Sequence, residues 1–138
     1  MSVSIAAQEF EASAFAPGAG TEVPGRISAR AAFQELLRGG VLLVDVRSEI
    51  ARRRQGGPHP MLLPRVVDRH LLEWRLDPRS ETAWPEAAYD ARVVVLSGAG
   101  HSSQPIAADL RALGIGAAVD IVGGFDAWRA AGLPVRSM

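Results

Sequence analysis

The stretch RVVVLSGAGHSSQPIAADL, residues 92–110, sets three hydroxyls (Ser97, Ser102, Ser103), one imidazole (His101) and two glycines between an apolar run and a helical pattern. A strand that opens into a loop of small residues and then a helix aims backbone N–H groups and the positive end of a helix at one point. Such a point holds an anion or a reactive oxygen. Three chemistries fit the loop: dinucleotide binding, a serine nucleophile on a tight turn, and sulfur or phosphate handling by a loop that has no thiol.

The first two meet obstacles in the residues themselves. Gly98-x-Gly100-x-x-Ser103 imitates a dinucleotide fingerprint, and Asp120 follows about where a ribose-binding acid would lie. The third glycine is a serine, however, and residues 121–138 are too few for the strands that complete such a site. GHSSQ, residues 100–104, approximates the Gly-x-Ser-x-Gly nucleophile turn, but Gln104 replaces the glycine that lets helix and strand approach. That chemistry also needs a histidine later in the chain, and none follows Ser102.

The elements that must position the loop are legible in the apolar patterning. VLLVDV (41–46), RVVVLS (92–97) and AAVDIVGG (117–124) are continuous β-branched runs of the kind found in strands buried on both faces. SARAAFQELLRGG predicts a helix with Ser28 as N-cap, an apolar face of Ala29, Ala32, Phe33, Leu36 and Leu37, and Gly39 as its stop. Ile106, Leu110 and Leu113 predict a helix over 103–113, and FDAWRAAGLP a last helix stopped by Gly132 and Pro134. SEIARRRQ and HLLEWRLDP read as shorter helical pieces. Alternating buried strands and helices imply a parallel α/β sheet, with ligands outside the carboxyl ends of the strands, where the 97–103 loop sits. Residues 1–25, rich in Ala, Gly and Pro, read as a flexible leader that Phe10 and Phe15 could dock, and 26–138 as one folded domain.

Composition narrows the function classes. Fifteen basic residues balance fifteen acidic ones, so no broad field favours nucleic acid or an anionic membrane. Arg52, Arg53 and Arg54 form the one basic cluster and read as a solvated helix face. With no cysteine there are no disulfides, thiolate metal sites or thiol catalysis, and His59, His70 and His101 lack metal-ligand spacing. No metal and no cofactor is therefore expected. No apolar run reaches a membrane span, and the N-terminal residues, which include Glu9 and Glu11, lack a basic n-region; the expected location is cytoplasmic.

The segments VLLVDVRSEIARRRQGG, LLEWRLDP, VVVLSGAGHSSQPIAADLRALGI and AAVDIVGGFDAWRAAGLPV together resemble a single-domain rhodanese over roughly residues 26–136, particularly the actinobacterial type with its Leu-Glu-Trp-Arg-Leu-Asp-Pro stretch. The resemblance implies a five-stranded parallel sheet with helices on both faces. In that family the loop begins on a cysteine that carries sulfane sulfur as a persulfide. Here that position is Ser97, with Gly100, Ser102 and Ser103 following as the family has them. A serine alcohol cannot become the thiolate or hold a persulfide, and a hydroxyl attacks only with an adjacent general base, a role His101 fits less well than that of a rim residue. What survives is the cradle: the amides of Gly98, Ala99, Gly100, His101, Ser102 and Ser103, open to thiosulfate, sulfate, phosphate or a partner's carboxylate. The related phosphatase branch needs a longer loop with an arginine near its end, where this chain has Ser103.

Asp45 and Arg47 match the family's Asp-x-Arg, which implies a structural charge-assisted link from the first core strand to neighbouring loops. Trp74 and Trp128 are expected to pack. PHPMLLP departs from the family's Pro-Gly-Ala turn, which leaves that loop's path open. Two function classes follow. One is a rhodanese-like binding or regulatory module tied to sulfane-sulfur metabolism, without catalysis, taking a small anion or a protein partner. The other is an active thiosulfate-type sulfurtransferase of which this chain is a Cys-to-Ser variant at position 97.

Overall fold

The computed structural model describes residues 23–137. The expectations for residues 1–22, the dockable Phe10 and Phe15 among them, lie outside the described residues. Ahead of the expected boundary at residue 26, the Val23 carbonyl accepts the Arg26 N–H (3.0 Å) and the Gly25 carbonyl accepts the Asp120 N–H (3.1 Å).

Among the described residues, seven strands and five α-helices follow: β1 (Arg26–Ile27), α1 (Ala29–Arg38), β2 (Val41–Asp45), α2 (Glu49–Gln55), β3 (Gly57–Pro58), β4 (Arg65–Val66), α3 (Leu72–Leu76), β5 (Arg92–Leu96), α4 (Ser103–Ala112), β6 (Val119–Ile121), α5 (Gly124–Ala130) and β7 (Val135–Arg136). Five strands form one parallel sheet in the order β1-β6-β5-β2-β4. The three apolar runs are its three central strands, so both of their faces are covered. Alternation divides them: Leu43, Val94, Leu96, Val119 and Ile121 face α1 and α5, whereas Val44, Val93 and Val95 face α3 and α4.

The helices start and stop where their caps dictate. The Ser28 hydroxyl accepts the Ala31 N–H, and the Ser48 hydroxyl does the same for Ala51 at α2. Leu37 departs from its expected place on the apolar face of α1 and is 58% exposed. The buried stripe runs through Ala29 and Ala32 with Phe33 and Leu36 beside it, and Leu37 falls outside it. Trp74 is also a correction: α3 buries Leu72 and Leu76, four residues apart, which turns Trp74 outward to 62% exposure. Trp128 is in the core as expected, meeting Phe33 edge-on at 5.9 Å and donating its indole N–H to the Pro134 carbonyl (2.9 Å). The PHPMLLP segment begins at Pro58, which with Gly57 before it pairs antiparallel with Val135–Arg136, and then makes a single 3₁₀ turn over Pro60–Leu62.

Candidate functional site

The alternation that builds the sheet also aims the site. Ser97 continues the row of Val93 and Val95, so its side chain points toward the face that α4 covers. In β6, Val119 and Ile121 enter the opposite core, which leaves Asp120 on the α4 side. Parallel register sets Arg26 directly beside Asp120. Four side chains from four separate segments therefore meet under the first turn of α4.

Their hydrogen bonds form one directed chain. The Ser97 hydroxyl donates to Ser103 Oγ (3.0 Å), and Ser103 donates to Asp120 Oδ2 (2.8 Å). The Arg26 guanidinium grips both Asp120 oxygens at 3.0 Å and donates to the Gly100 carbonyl (2.8 Å). The Gly100 N–H closes the ring onto Ser97 Oγ (3.1 Å). Ser97, Ser103 and Asp120 are all buried. Ser97 thus has its proton committed and one lone pair occupied. Among the described residues, no side chain is placed to remove that proton except through Ser103 to a carboxylate that Arg26 already holds.

The loop itself is pinned from outside. The Phe125 N–H donates to the Ser97 carbonyl (2.8 Å) and the Asp126 N–H to the Gly98 carbonyl (3.0 Å). These bonds require the β6–α5 turn to lie against the loop. A Cβ on Gly124 would strike the Ser97 carbonyl, and one on Gly100 would come within 2.5 Å of the Gly123 nitrogen. With the carbonyls of residues 97, 98 and 100 engaged, the amides of Gly98, Ala99, His101 and Ser102 donate to no protein atom among the described residues. His101 and Ser102 are exposed on the rim beside the start of α4.

Asp45 and Arg47 form a separate buried unit. Arg47 grips Asp45 through Nε (3.0 Å) and Nη2 (2.7 Å), and reaches the Gly56 carbonyl (2.9 Å) and Gln55 (3.1 Å). Its guanidinium also lies 4.4 Å from the centre of the Phe125 ring. The link to the 97–103 loop therefore runs through Phe125, whose N–H holds the Ser97 carbonyl.

Sequence reasoning finds the loop but misses Arg26, and it weighs Asp120 only as a ribose-binding acid. The signal for both is present: a lone aspartate inside an otherwise apolar strand needs a partner. Two open clefts lie elsewhere and include none of residues 97–103. One of about 520 Å³ flanks the amino ends of β2 and β5, and one of about 320 Å³ lies over Gly57. His59, His70 and His101 are exposed and lie apart in the chain, with the His59 ring accepting the Met61 N–H. Among the described residues, no helix is long and apolar enough to cross a membrane.

No family model and no curated protein matches the chain. Solved structures do. A protein of unknown function from Rhodopseudomonas palustris, described as a possible tyrosine phosphatase, is 29% identical over 78% of this chain and 79% of its own, with a TM-score of 0.67. A rhodanese-like domain protein from Staphylococcus aureus is 22% identical over 81% of this chain and 98% of its own, with a TM-score of 0.59. A thiosulfate sulfurtransferase from Pseudomonas aeruginosa aligns at 20% identity with 97% of this chain and 24% of its own, with a TM-score of 0.61. The parallel sheet, the strand–loop–helix at Ser97 and these matches together give the chain the rhodanese-like fold, without a cysteine anywhere in it.

Proposed function

We propose that the chain is a non-catalytic module that takes a small oxyanion, of the thiosulfate or sulfate class, on the 97–103 loop. The carrying observation is the state of Ser97: a buried hydroxyl that donates to Ser103 and accepts from Gly100. A group tied in this way is a structural strut. It has no thiolate to accept sulfur and no strong base to activate it. The same loss argues against thiol-dependent phosphatase chemistry, and Ser103 stands where that branch has an arginine. Support for binding comes from the amides of Gly98, Ala99, His101 and Ser102, which lie before the ten-residue helix α4 with no protein acceptor among the described residues.

Amide chemical shifts followed during titration with sodium thiosulfate and with sodium sulfate test this reading. Saturable movement centred on residues 98–102 is expected, together with no thiocyanate from thiosulfate and cyanide. Movement confined to other residues would remove the anion site. Thiocyanate above the uncatalysed background would overturn the non-catalytic assignment.

A further inference from the structure

We propose that the cleft over Gly57 docks an acidic peptide segment of a partner protein, one carboxylate settling between Arg52 and Arg136 and apolar side chains lying against Pro60, Leu63 and Val66. The site is independent of the loop reading, since no residue of 97–103 lines it.

The wall of the cleft carries an excess of positive charge. Asp45 is the only acidic residue in the wall, and Arg47 already neutralises it at 2.7 Å. Arg52 gives one N–H to the Arg47 carbonyl and meets no carboxylate among the described residues. The Arg136 side chain has no hydrogen-bond or ion-pair partner among them. A Cβ built on Gly57 would have Nη2 of Arg47 at 3.1 Å and Nη2 of Arg136 at 3.2 Å, so two guanidinium groups crowd over a residue without a side chain. Arg47 is matched by Asp45, so the excess positive charge of the concave wall is that of Arg52 and Arg136, and it favours an anion. The larger cleft lacks this excess, because its Arg65 pairs with Glu86 and its Arg92 with Glu35.

The rim of the cleft is apolar and open to water. Leu63 and Val66, both in the lining, are 79% and 54% exposed. Leu63 is moreover held at φ 54°, a left-handed backbone that large side chains seldom adopt. A small oxyanion would use the two arginines and leave these side chains in water. A peptide that alternates carboxylates with apolar residues covers both surfaces.

The test uses the full chain and a short fluorescein-labelled Glu-Leu repeat peptide, followed by anisotropy, with a Gln-Leu peptide and phosphatidylglycerol vesicles as controls. Saturable binding is expected that weakens as salt rises. Arg136→Glu should weaken it about tenfold, or about 1.4 kcal/mol. Arg52→Glu should act similarly, and the Gln-Leu peptide should not bind. Arg136 is exposed on a two-residue strand, so its reversal tests the charge even if the Arg52 variant unfolds. No saturable binding, an unchanged affinity for Arg136→Glu, or binding to vesicles in place of the peptide would overturn the proposal.

Discussion

Ser97→Cys is the perturbation that separates a preserved cradle from a dismantled one. A sulfur at position 97 would meet the Gly100 N–H, which donates to Ser97 Oγ at 3.1 Å, and the Ser103 oxygen, which accepts from it at 3.0 Å. The Gly100 donor and the start of α4 would lower a thiol from its usual value near 8.5 by about one to several units. Asp120 works in the other direction, because only Ser103 separates it from position 97, through bonds of 3.0 and 2.8 Å. Across two successive hydrogen bonds and at an effective dielectric of about 20, its charge would cost a thiolate on the order of 3 kcal/mol, about two pKa units upward. The Arg26 guanidinium, paired with both Asp120 oxygens, offsets most of that. The net expectation for the thiol introduced at position 97 is a pKa of about 7–8. Asp120→Asn on that background should lower it by about one further unit, since Arg26 then stands unopposed. The pH dependence of alkylation by iodoacetamide reads the pKa, and cyanide release of thiocyanate after thiosulfate treatment reads the persulfide. A thiol near 8.5 or above in both variants, with no persulfide, would refute the preserved cradle. A lowered pKa that Asp120→Asn leaves unmoved would refute the charge argument alone.

Ser103→Ala should lower the unfolding free energy in urea by about 1–3 kcal/mol, because it strips a buried partner from both Ser97 and Asp120; a loss within about 0.5 kcal/mol would contradict the network. Arg47→Met should cost about 3–5 kcal/mol by leaving the buried Asp45 charge without its partner, measured in the same way. The hydrogen bond from Arg92 holds the Glu35 carboxyl below its ordinary value of 4.5, against the opposing effect of burial. Its contribution to stability is therefore complete above pH 4.5 and fades as the pH falls through the lowered folded value. The Tm gap between the native chain and Glu35→Gln should shrink with acidification, and a constant gap down to strong acid would contradict the pairing.

How far the sequence discloses this molecule depends on whether a feature is carried by period or by pairing. The central strands announce themselves because Val and Leu fill both alternating rows of 41–44 and 93–96, a pattern that a doubly covered strand satisfies. Ser97, Gly100 and Ser103 are legible for a related reason: a loop between strand and helix must supply small residues and amides wherever it occurs. Leu37 and Trp74 escape such a reading because a helical stripe has an edge, and a residue there is assigned by the neighbouring element rather than by its own spacing.

The least legible part is the one on which the loop depends most. Arg26 and Asp120 are ninety-four residues apart, and only the parallel register of β1 with β6 brings them together. Once they meet, Arg26 of the edge strand holds the Gly100 carbonyl in the middle of the loop, and Asp120 of the neighbouring strand β6 holds Ser103 at its end. The Gly123-Gly124 turn contributes in the same way. It brings the Phe125 and Asp126 amides onto the Ser97 and Gly98 carbonyls, at distances that a side chain on Gly124 would prevent. The hydroxyl of Ser97 fits between these two supports with a donor on one side and an acceptor on the other. The cradle's shape is therefore set by its surroundings, which is the physical reason that it should survive exchange of the one atom at its head.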